Sequence, residues 1–135
     1  MNKSLFFYSL SNIRVIDGDT IDSNIDLGFS ISIRRRIRLL GINAPETRLQ
    51  SKIKDSTARE KEKQLGIDSK NFLTKICNSN QIYLSSQNLD KYGRVLGEIF
   101  YIEDDLGVEE NYVSINQLMV FEGHATVYGL SLIHI

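Results

Sequence analysis

The stretch ISIRRRIRLLGINAPET, residues 31–47, decides the fold. The apolar side chains of its first half share one parity: Ile31, Ile33, Ile37 and Leu39. The polar side chains share the other parity: Ser32, Arg34, Arg36 and Arg38. This alternation is typical of a half-buried β-strand, and the out-of-phase Arg35 predicts a local irregularity. Pro45 ends the predicted sheet region, because proline has no N–H for a strand ladder.

Upstream, residues 6–40 follow a pattern of strands joined by turns. Short β-branched stretches at 13–15 and 20–21 flank the sequence DGD at 17–19. Glycine in such a position tolerates a positive φ, so this sequence predicts a turn. A further turn is predicted at residues 23–24, which are serine and asparagine.

Two helices are predicted downstream of the quoted stretch. The first follows residues 47–57, which are polar and basic without periodicity and predict a mobile loop. Its apolar face, at helical spacing, consists of Leu65, Phe72, Leu73, Ile76 and Cys77. Gly66 is expected to weaken its first turns by roughly 1 kcal/mol. The second helix combines a capping box at 114–117, a buried pair at 118–119 and a C-cap glycine, Gly123.

Two further strands are predicted near residues 82–84 and 95–101, and an acidic turn over 103–110 follows them. The resulting order is three strands, a helix, two strands and a helix. That order favours an α+β, mainly β fold, the five-stranded barrel of oligonucleotide-binding proteins with two helices. We expect one domain over residues 1–129.

Composition is typical of one globular domain. The chain has 135 residues, of which 41% are hydrophobic and 24% charged, and this excludes disordered, collagen-like and coiled-coil chains. The single Cys77 excludes an internal disulfide and a cysteine-based zinc site. No apolar run approaches the ~20 residues that span a bilayer. Residues 1–10 lack the features of a signal peptide, so we expect a cytoplasmic location without membrane association.

The sequence LSLIHI at residues 130–135 is expected to be a non-native read-through tail. The codons CTG TCT CTT ATA CAC ATC encode it, and that string resembles a transposon adapter used in sequencing libraries. We therefore expect the natural reading frame to be interrupted near Gly129, and His134 is given no role. A genuine apolar C-terminal strand is the alternative.

The net charge of −1 hides a strong asymmetry. Residues 34–63 carry ten Lys and Arg against four Asp and Glu, whereas the rest of the chain carries six against thirteen. A basic stripe on an otherwise acidic protein suits a polyanion that docks on one face. A solvated, charged loop is the alternative interpretation of the same run.

Candidate chemistry lies in three polar clusters: DGDT at 17–20, RLLGINAPET at 38–47 and DKYGR at 90–94. Each cluster alone also has a simpler explanation. The first fits an ordinary tight turn, the arginine of the second fits a side chain on the face of a strand, and the third fits a polar hairpin loop. Together they supply the parts of phosphodiester hydrolysis. Oxygens of Asp19, Asn43 and Ala44 suit a hard cation such as calcium. Two arginines hold a phosphodiester and stabilise its developing charge, while a glutamate positions or deprotonates water.

With these clusters in this order, residues 13–127 resemble the staphylococcal, or micrococcal, nuclease-like thermonucleases. The resemblance rests on VIDGDT at 15–20, IRLLGINAPET at 37–47 and DKYGR at 90–94. Residues 22–29 and 48–63 are similar to the short bacteriophage-encoded branch of that family. The resemblance implies a calcium-dependent endonuclease that acts on DNA and RNA and leaves 3′-phosphate ends.

The resemblance also implies roles for individual residues. The candidate catalytic residues are Arg38, Glu46 and Arg94. The candidate metal ligands are Asp19, Asn43 and the backbone carbonyl of Ala44. Lys91 and Tyr92 correspond to residues that line the nucleotide pocket. Asp17 is a candidate for orienting a metal ligand or a bound water, or else it closes its own turn.

Two departures from the family pattern are visible in the sequence. Asn43 stands where the family usually has a second metal-binding aspartate, so one negative charge is lost although an amide oxygen still coordinates calcium. The family's C-terminal helix is expected to be truncated or absent, and its C-terminal tyrosines are displaced, with Tyr128 near one such position.

An active metal-dependent nuclease is the leading hypothesis. The alternative is a catalytically weak or inactive nucleic-acid-binding module of the same fold. The presence of Arg38, Glu46 and Arg94 together favours the enzyme. We expect DNA or RNA as the partner of a monomer, with Lys52 and Lys54 of the basic segment at the substrate groove.

Overall fold

The alternating stretch forms a strand, as its pattern predicts. The computed structural model describes residues 6–47, 55–105 and 109–128, so the segment 48–54 and the expected tail at 130–135 lie outside the described residues. In chain order, the described residues form β1 (Phe7–Asp17), β2 (Thr20–Gly28), β3 (Ile31–Leu39), β4 (Ile42–Asn43), α1 (Ser56–Ser79), β5 (Ile82–Leu89), β6 (Val95–Asp105), β7 (Glu109–Ser114), α2 (Ile115–Phe121) and β8 (Thr126–Val127).

Five strands close into a barrel, which confirms the predicted fold class. Antiparallel pairing gives the order β3-β2-β1-β5-β6, and a parallel pairing of β3 with β6 closes the ring. In that closing pair Ile37 lies opposite Val95 and Leu39 lies opposite Gly97. β7 extends the sheet beyond β6, and the short strands β4 and β8 pair with each other.

The apolar face of β3 lies in the barrel core. Ile37 and Leu39 are fully buried, together with Ile21 of β2. Burial of each such side chain contributes about 1.5–3 kcal/mol to stability. Leu73 of α1 and Met119 of α2 are also fully buried in this core, so both helices are held against the barrel.

The predicted turn at residues 23–24 is wrong, because β2 continues through them. Ser23 is buried within the strand, and its hydroxyl donates to the backbone carbonyl of Ser11 at 3.0 Å. The predicted irregularity at Arg35 is also wrong, since Arg35 pairs with Ser23 in an unbroken register from residue 32 to residue 38. A tertiary hydrogen bond thus permits a buried serine where local preference favours a turn.

The irregularity lies in β1 instead. Ser11 pairs with Asn24 and Arg14 with Asp22, so β1 advances by three residues where β2 advances by two. Asn12, within this bulge, adopts a φ of 50°. Asparagine is among the residues that tolerate this left-handed region. Because the extra residue reverses the alternation, Leu10 and Val15 both point into the core although they are five positions apart.

The acidic segment predicted as a turn is mostly strand. β6 extends to Asp105, β7 begins at Glu109, and these two residues pair with each other. The prediction was wrong because acidic residues are rare in strands by local preference, whereas the pairing of β6 with β7 places these residues in a sheet. The connecting residues 106–108 lie outside the described part of the chain.

Helix α1 begins after Asp55, whose carboxylate accepts a hydrogen bond from the backbone N–H of Thr57 at 3.0 Å. Leu73 is fully buried, but Leu65 is 43% exposed, so its predicted place on the apolar face is wrong. Leu65 instead borders the open cleft described below. Within the described residues, the helices are too short or too polar to cross a membrane.

Helix α2 has the predicted caps. The Ser114 hydroxyl accepts from the backbone N–H of Gln117 at 3.2 Å, and Gly123 follows the helix with a φ of 79°. Glycine adopts this left-handed conformation without strain, which suits the residue that ends a helix. The predicted N-cap and C-cap are therefore confirmed.

Gly18 has a different role from the predicted one. Its φ does not lie in the positive region. A Cβ at this position would come within 2.8 Å of the Cβ atoms of Ala44 and Ser69. The absence of a side chain therefore lets the β1–β2 turn pack directly against the segment after β4 and against α1, and this packing draws the first two polar clusters together.

Candidate active site

A cleft of about 700 Å³ opens where the β1–β2 turn, the end of β3 and the first half of α1 meet. Seven of the nine residues predicted for the site line it: Asp17, Asp19, Arg38, Asn43, Ala44, Glu46 and Arg94. These residues come from all three polar clusters, so the barrel brings together segments that are far apart in sequence.

Asp19 is the buried carboxylate of the cleft, with 8% of the residue exposed. One carboxylate oxygen accepts from the Thr20 hydroxyl and the other from the backbone N–H of Ala44, both at 2.8 Å. The second contact ties the β1–β2 turn to the segment after β4. Burial of an ionised carboxylate requires such hydrogen bonds, which fix its direction.

Arg38 points into the cleft from the end of β3. Its Nη1 donates to the backbone carbonyl of Leu39 at 2.9 Å, and its Nη2 lies 3.5 Å from the Asp19 carboxylate. The same Nη2 donates to the side-chain oxygen of Asn43 at 2.5 Å. The guanidinium is therefore held in one direction by three groups, with its charge beside the buried carboxylate.

Asp17 also faces the cleft, and its partner is a residue of the second cluster. Its Oδ1 accepts from the backbone N–H of Thr47 at 3.3 Å and from the Thr47 hydroxyl at 3.0 Å. These bonds join the end of β1 to the residue that follows Glu46. Asp17 thus helps to hold the backbone of the candidate catalytic glutamate.

Glu46 lines the cleft on a segment that packs against α1. A Cβ added to Gly66 would lie 2.0 Å from the carbonyl oxygen of Glu46 and 2.9 Å from that of Pro45. Only a glycine in α1 leaves room for this backbone. Gly66 was expected to weaken the helix, and the structure adds a packing reason for its presence.

Arg94 enters the cleft from the connection between β5 and β6. Its Nε donates to one oxygen of Asp90 at 2.6 Å, and the other Asp90 oxygen accepts the backbone N–H groups of Tyr92 and Arg94, each at 2.9 Å. Partial desolvation raises the pKa of Asp90, but these hydrogen bonds outweigh it and leave the pKa below its ordinary value. Asp90 therefore stays ionised and holds both the turn and Arg94.

Lys91 and Tyr92 line a neighbouring depression of about 380 Å³ that shares Arg38, Asn43 and Arg94 with the cleft. Tyr92 is 72% exposed. The Lys91 ammonium lies 5.1 Å from the ring centre, and the Arg94 guanidinium lies 5.7 Å from it. An exposed ring next to a cleft arginine suits stacking on a nucleic-acid base.

The oxygens at one end of the cleft fit a hard cation by their chemistry. Asp19 supplies a carboxylate, Asn43 an amide oxygen and Ala44 a backbone carbonyl, which are ligand types that calcium accepts. Among the described residues, no three His, Cys, Asp or Glu side chains converge as a metal-binding group. A cation here would therefore rely on neutral oxygens beside Asp19, and it would share Asn43 with Arg38.

Several residues of the cleft were not singled out from the sequence. Ser69 of α1 is 1% exposed, and its hydroxyl donates to the backbone carbonyl of His124 at 2.6 Å. The His124 ring stacks on Phe72 with centroids 4.5 Å apart, and it borders the same cleft. The helical spacing of Ser69 and Phe72 was visible in the sequence, but their link to the segment after α2 depends on tertiary packing.

The chain is thus a small five-stranded barrel whose cleft is lined by a buried carboxylate, an amide oxygen and two arginines. A family model described as staphylococcal nuclease homologue matches residues 36–132. The chain belongs to this family, which confirms the resemblance inferred from its motifs.

One relative carries a functional name. The micrococcal nuclease of Shigella flexneri is 29% identical over 125 residues, which cover 86% of this chain and 56% of that protein. The chain thus spans about half the length of the curated relative it matches. The bacteriophage branch suggested by residues 22–29 and 48–63 stays a prediction.

Proposed function

We propose that this chain is a calcium-dependent nuclease that hydrolyses phosphodiester bonds of DNA or RNA and leaves 3′-phosphate ends. The observation that carries the proposal is that Arg38 and Arg94, from separate elements, line one cleft with Glu46. Two guanidinium groups can each donate paired hydrogen bonds to the oxygens of a phosphodiester, and a carboxylate beside them can activate water. Membership of the staphylococcal nuclease family and the name of the Shigella relative support the same class.

The two arginines stabilise the charge that develops on the phosphate. Backbone and side-chain contacts hold Arg38, and Asp90 holds Arg94. Donors that are already oriented need no reorganisation when the negative charge on phosphorus increases, so their effect is largest in the transition state.

Glu46 is the general base of the proposed reaction. It takes a proton from the attacking water while the water oxygen bonds to phosphorus. The bond between phosphorus and the 5′-oxygen then breaks, and that oxygen leaves with the bonding electrons and receives a proton from solvent. Gly66 and Asp17 act on this step by holding the backbone on either side of Glu46.

Asp19, Asn43 and the carbonyl of Ala44 are the residues that would hold calcium. When bound, the cation neutralises charge on the phosphate oxygens and so assists attack by water. Lys91 and Tyr92 bind the neighbouring nucleotide, the lysine through its charge and the tyrosine through its exposed ring.

Cleavage of labelled single-stranded DNA tests the proposal. The wild-type chain is incubated with calcium or with a chelator, alongside Glu46→Gln and the control Glu60→Gln, which removes the same charge from an exposed position on α1. We expect cleavage only with calcium, its loss in Glu46→Gln and its retention in the control. Binding of DNA without cleavage by the wild type would overturn the proposal and favour the binding module.

A further inference from the structure

Three arginines lie on one face of β3 at every second position: Arg34, Arg36 and Arg38. Side chains two residues apart on a strand point to the same side and lie about 7 Å apart. Arg38 reaches into the cleft, so the row starts at the candidate active site and runs along β3 toward the β2–β3 turn. We call these three residues the arginine row.

The two outer members of the row face solvent. Arg34 is exposed, and half of the Arg36 side chain is accessible. Arg14 of β1 is exposed as well, and Asp22 of β2 lies directly opposite both Arg14 and Arg36 in the strand register. Three guanidinium groups therefore surround one carboxylate on this face.

Each outer arginine is held by neighbours on β1 or β2. Arg36 donates to Asp22 through Nε at 2.8 Å and Nη2 at 3.1 Å, which uses two of its five N–H donors. Nη1 of Arg34 donates to the backbone carbonyl of Asn12 at 2.8 Å and to the side chain of Asn24 at 3.0 Å. The guanidinium groups are oriented before any ligand arrives, which lowers the entropy lost on binding.

Stability of the barrel does not account for this arrangement. An exposed pair such as Arg36 and Asp22 contributes little to stability, and the excess positive charge on the face opposes folding. Arg36 alone already neutralises Asp22 through two hydrogen bonds. The hydrogen bond from Arg36 and the charges of Arg34 and Arg14 hold the pKa of Asp22 below its ordinary value. The face therefore keeps surplus positive charge for an anionic partner.

The row is also continuous with the cleft in the strand register. Arg38 lies opposite Thr20, which lines the cleft, and Arg36 lies opposite Asp22, the next residue of β2 on the same side. The outer face of the second and third strands is where barrels of this topology receive oligonucleotides. An anionic strand held at Arg38 would thus reach Arg36 next.

We infer that Arg34 and Arg36 extend the candidate active site into a binding track for the phosphate backbone of a single nucleic-acid strand. The inference rests on the proposed function and deepens it, since it makes a strand of several nucleotides the preferred substrate. From Arg38 to Arg34 the row spans about 14 Å, at 3.4 Å per residue. This corresponds to about four phosphate spacings of a stacked strand.

Arginine suits phosphate better than it suits an acidic protein surface at this site. A planar guanidinium donates to two phosphate oxygens at once, and the spacing of about 7 Å in the row places one arginine at every second phosphate of a stacked strand. The family model matches from residue 36 onward, so Arg34 lies outside the matched segment.

Arg35 provides a matched control for the test. It lies between the two outer arginines but on the opposite side of the strand, and its Nη1 donates to the backbone carbonyl of Arg34 at 2.9 Å. Arg34→Gln, Arg36→Gln and Arg35→Gln each remove one positive charge from neighbouring, exposed positions. Only the first two variants alter the row.

The experiment measures binding of fluorescein-labelled single-stranded DNA of 2, 4, 6, 8 and 12 nucleotides by anisotropy, in chelator and over a range of salt. We expect wild-type affinity to rise with length until the strand covers Arg34, near six nucleotides. Arg34→Gln and Arg36→Gln should each weaken binding of the 12-mer roughly fivefold, the upper range for an exposed charge contact. Each should also lower its salt slope by about 0.7, whereas Arg35→Gln should change neither.

Affinity that stops rising at two nucleotides, or equal effects of Arg34→Gln and Arg35→Gln, would overturn the track. Displacement of the 12-mer by polyglutamate as readily as by unlabelled DNA would overturn it in favour of an acidic protein partner. The wild-type length series needs no variant to fold. Because binding is measured without calcium, a failure of cleavage in the separate assay would refute the nuclease and leave the track to be judged on its own result.

Discussion

Gly66 of α1 lies so close to the backbone of Glu46 that a Cβ on the glycine would be 2.0 Å from the glutamate carbonyl oxygen. A glycine inside a helix is destabilising by about 1 kcal/mol relative to alanine, so local preference argues against it. Here the missing side chain lets α1 press directly on the segment that carries the candidate catalytic carboxylate. The helix thereby helps to fix the backbone position of Glu46.

Gly66→Ala is therefore expected to harm both stability and activity. Overpacking of this kind destabilises a protein by about 1–3 kcal/mol, despite the better helix propensity of alanine. A shift of about 1 Å in Glu46 should lower kcat about a hundredfold. Urea denaturation and the kcat for cleavage of single-stranded DNA provide the two measurements.

Gly28→Ala is the control for this prediction. Gly28 has a φ of 87° in the β2–β3 turn, and a Cβ there would meet nothing within 4 Å. Alanine in that conformation costs about 1–2 kcal/mol, but it leaves Glu46 in place. Equal losses of kcat in the two variants would show that lower stability alone, and not the position of Glu46, reduces activity.

The barrel was predictable because its signals are local. Alternation in β3, the caps of α2 and the order of elements all depend on residues close in sequence. Ser23 and Leu65 were misassigned because burial depends on distant partners, the Ser11 carbonyl for one and the open cleft for the other. The bulge of β1 was missed at Asn12, although asparagine is a residue that tolerates a positive φ.

The members of the cleft were predictable from motif order, but their contacts were not. Motif spacing could not show that Arg38 bonds to Asn43, or that Asp17 bonds to Thr47. Such contacts depend on how the β1–β2 turn packs against the segment after β4. Gly18 permits that packing through its small size, whereas the sequence suggested only its conformational freedom.

Arg94→Ala is expected to lower kcat by about 10²–10³-fold with little change in KM. Arg94 borders the cleft with its guanidinium oriented by Asp90, so its largest effect should fall on the transition state. Steady-state kinetics of cleavage in saturating calcium provide the measurement. Lys75→Ala, which removes a positive charge from an exposed site on α1, should behave like the wild type. Near-normal turnover of Arg94→Ala would remove Arg94 from the mechanism.

Asp90→Asn is expected to lower stability in a pH-dependent manner. The pKa of Asp90 is lower in the folded chain than its ordinary value of 3.8, so its ionised form stabilises the fold above that pH. This contribution is lost as the pH falls below 3.8, through the folded-state pKa. The difference in urea midpoint between wild type and Asp90→Asn should thus be constant from pH 5 to 8 and should shrink toward pH 3. A difference that persists unchanged to pH 3 would show that the charge of Asp90 is not its source.

Asn43→Asp is expected to tighten calcium binding about tenfold, the equivalent of ~1.4 kcal/mol. Asn43 and Asp19 both line the cleft, and the amide oxygen of Asn43 accepts from Arg38. Aspartate keeps an acceptor in the same place and adds the negative charge that calcium favours. The two side chains are nearly isosteric, so the barrel should be unchanged. Calorimetric titration with calcium measures the effect without relying on cleavage.

Asn71→Asp is the matched control, because it adds the same charge at an exposed position of α1. It should leave calcium affinity unchanged, because Asn71 does not line the cleft and the charge of an exposed side chain is screened by salt. The half-saturating calcium concentration for cleavage should fall in Asn43→Asp in step with the calorimetric affinity. If Asn43→Asp and Asn71→Asp both bind calcium as the wild type does, Asn43 is not a calcium ligand. The proposed ligand set of Asp19, Asn43 and Ala44 would then be wrong.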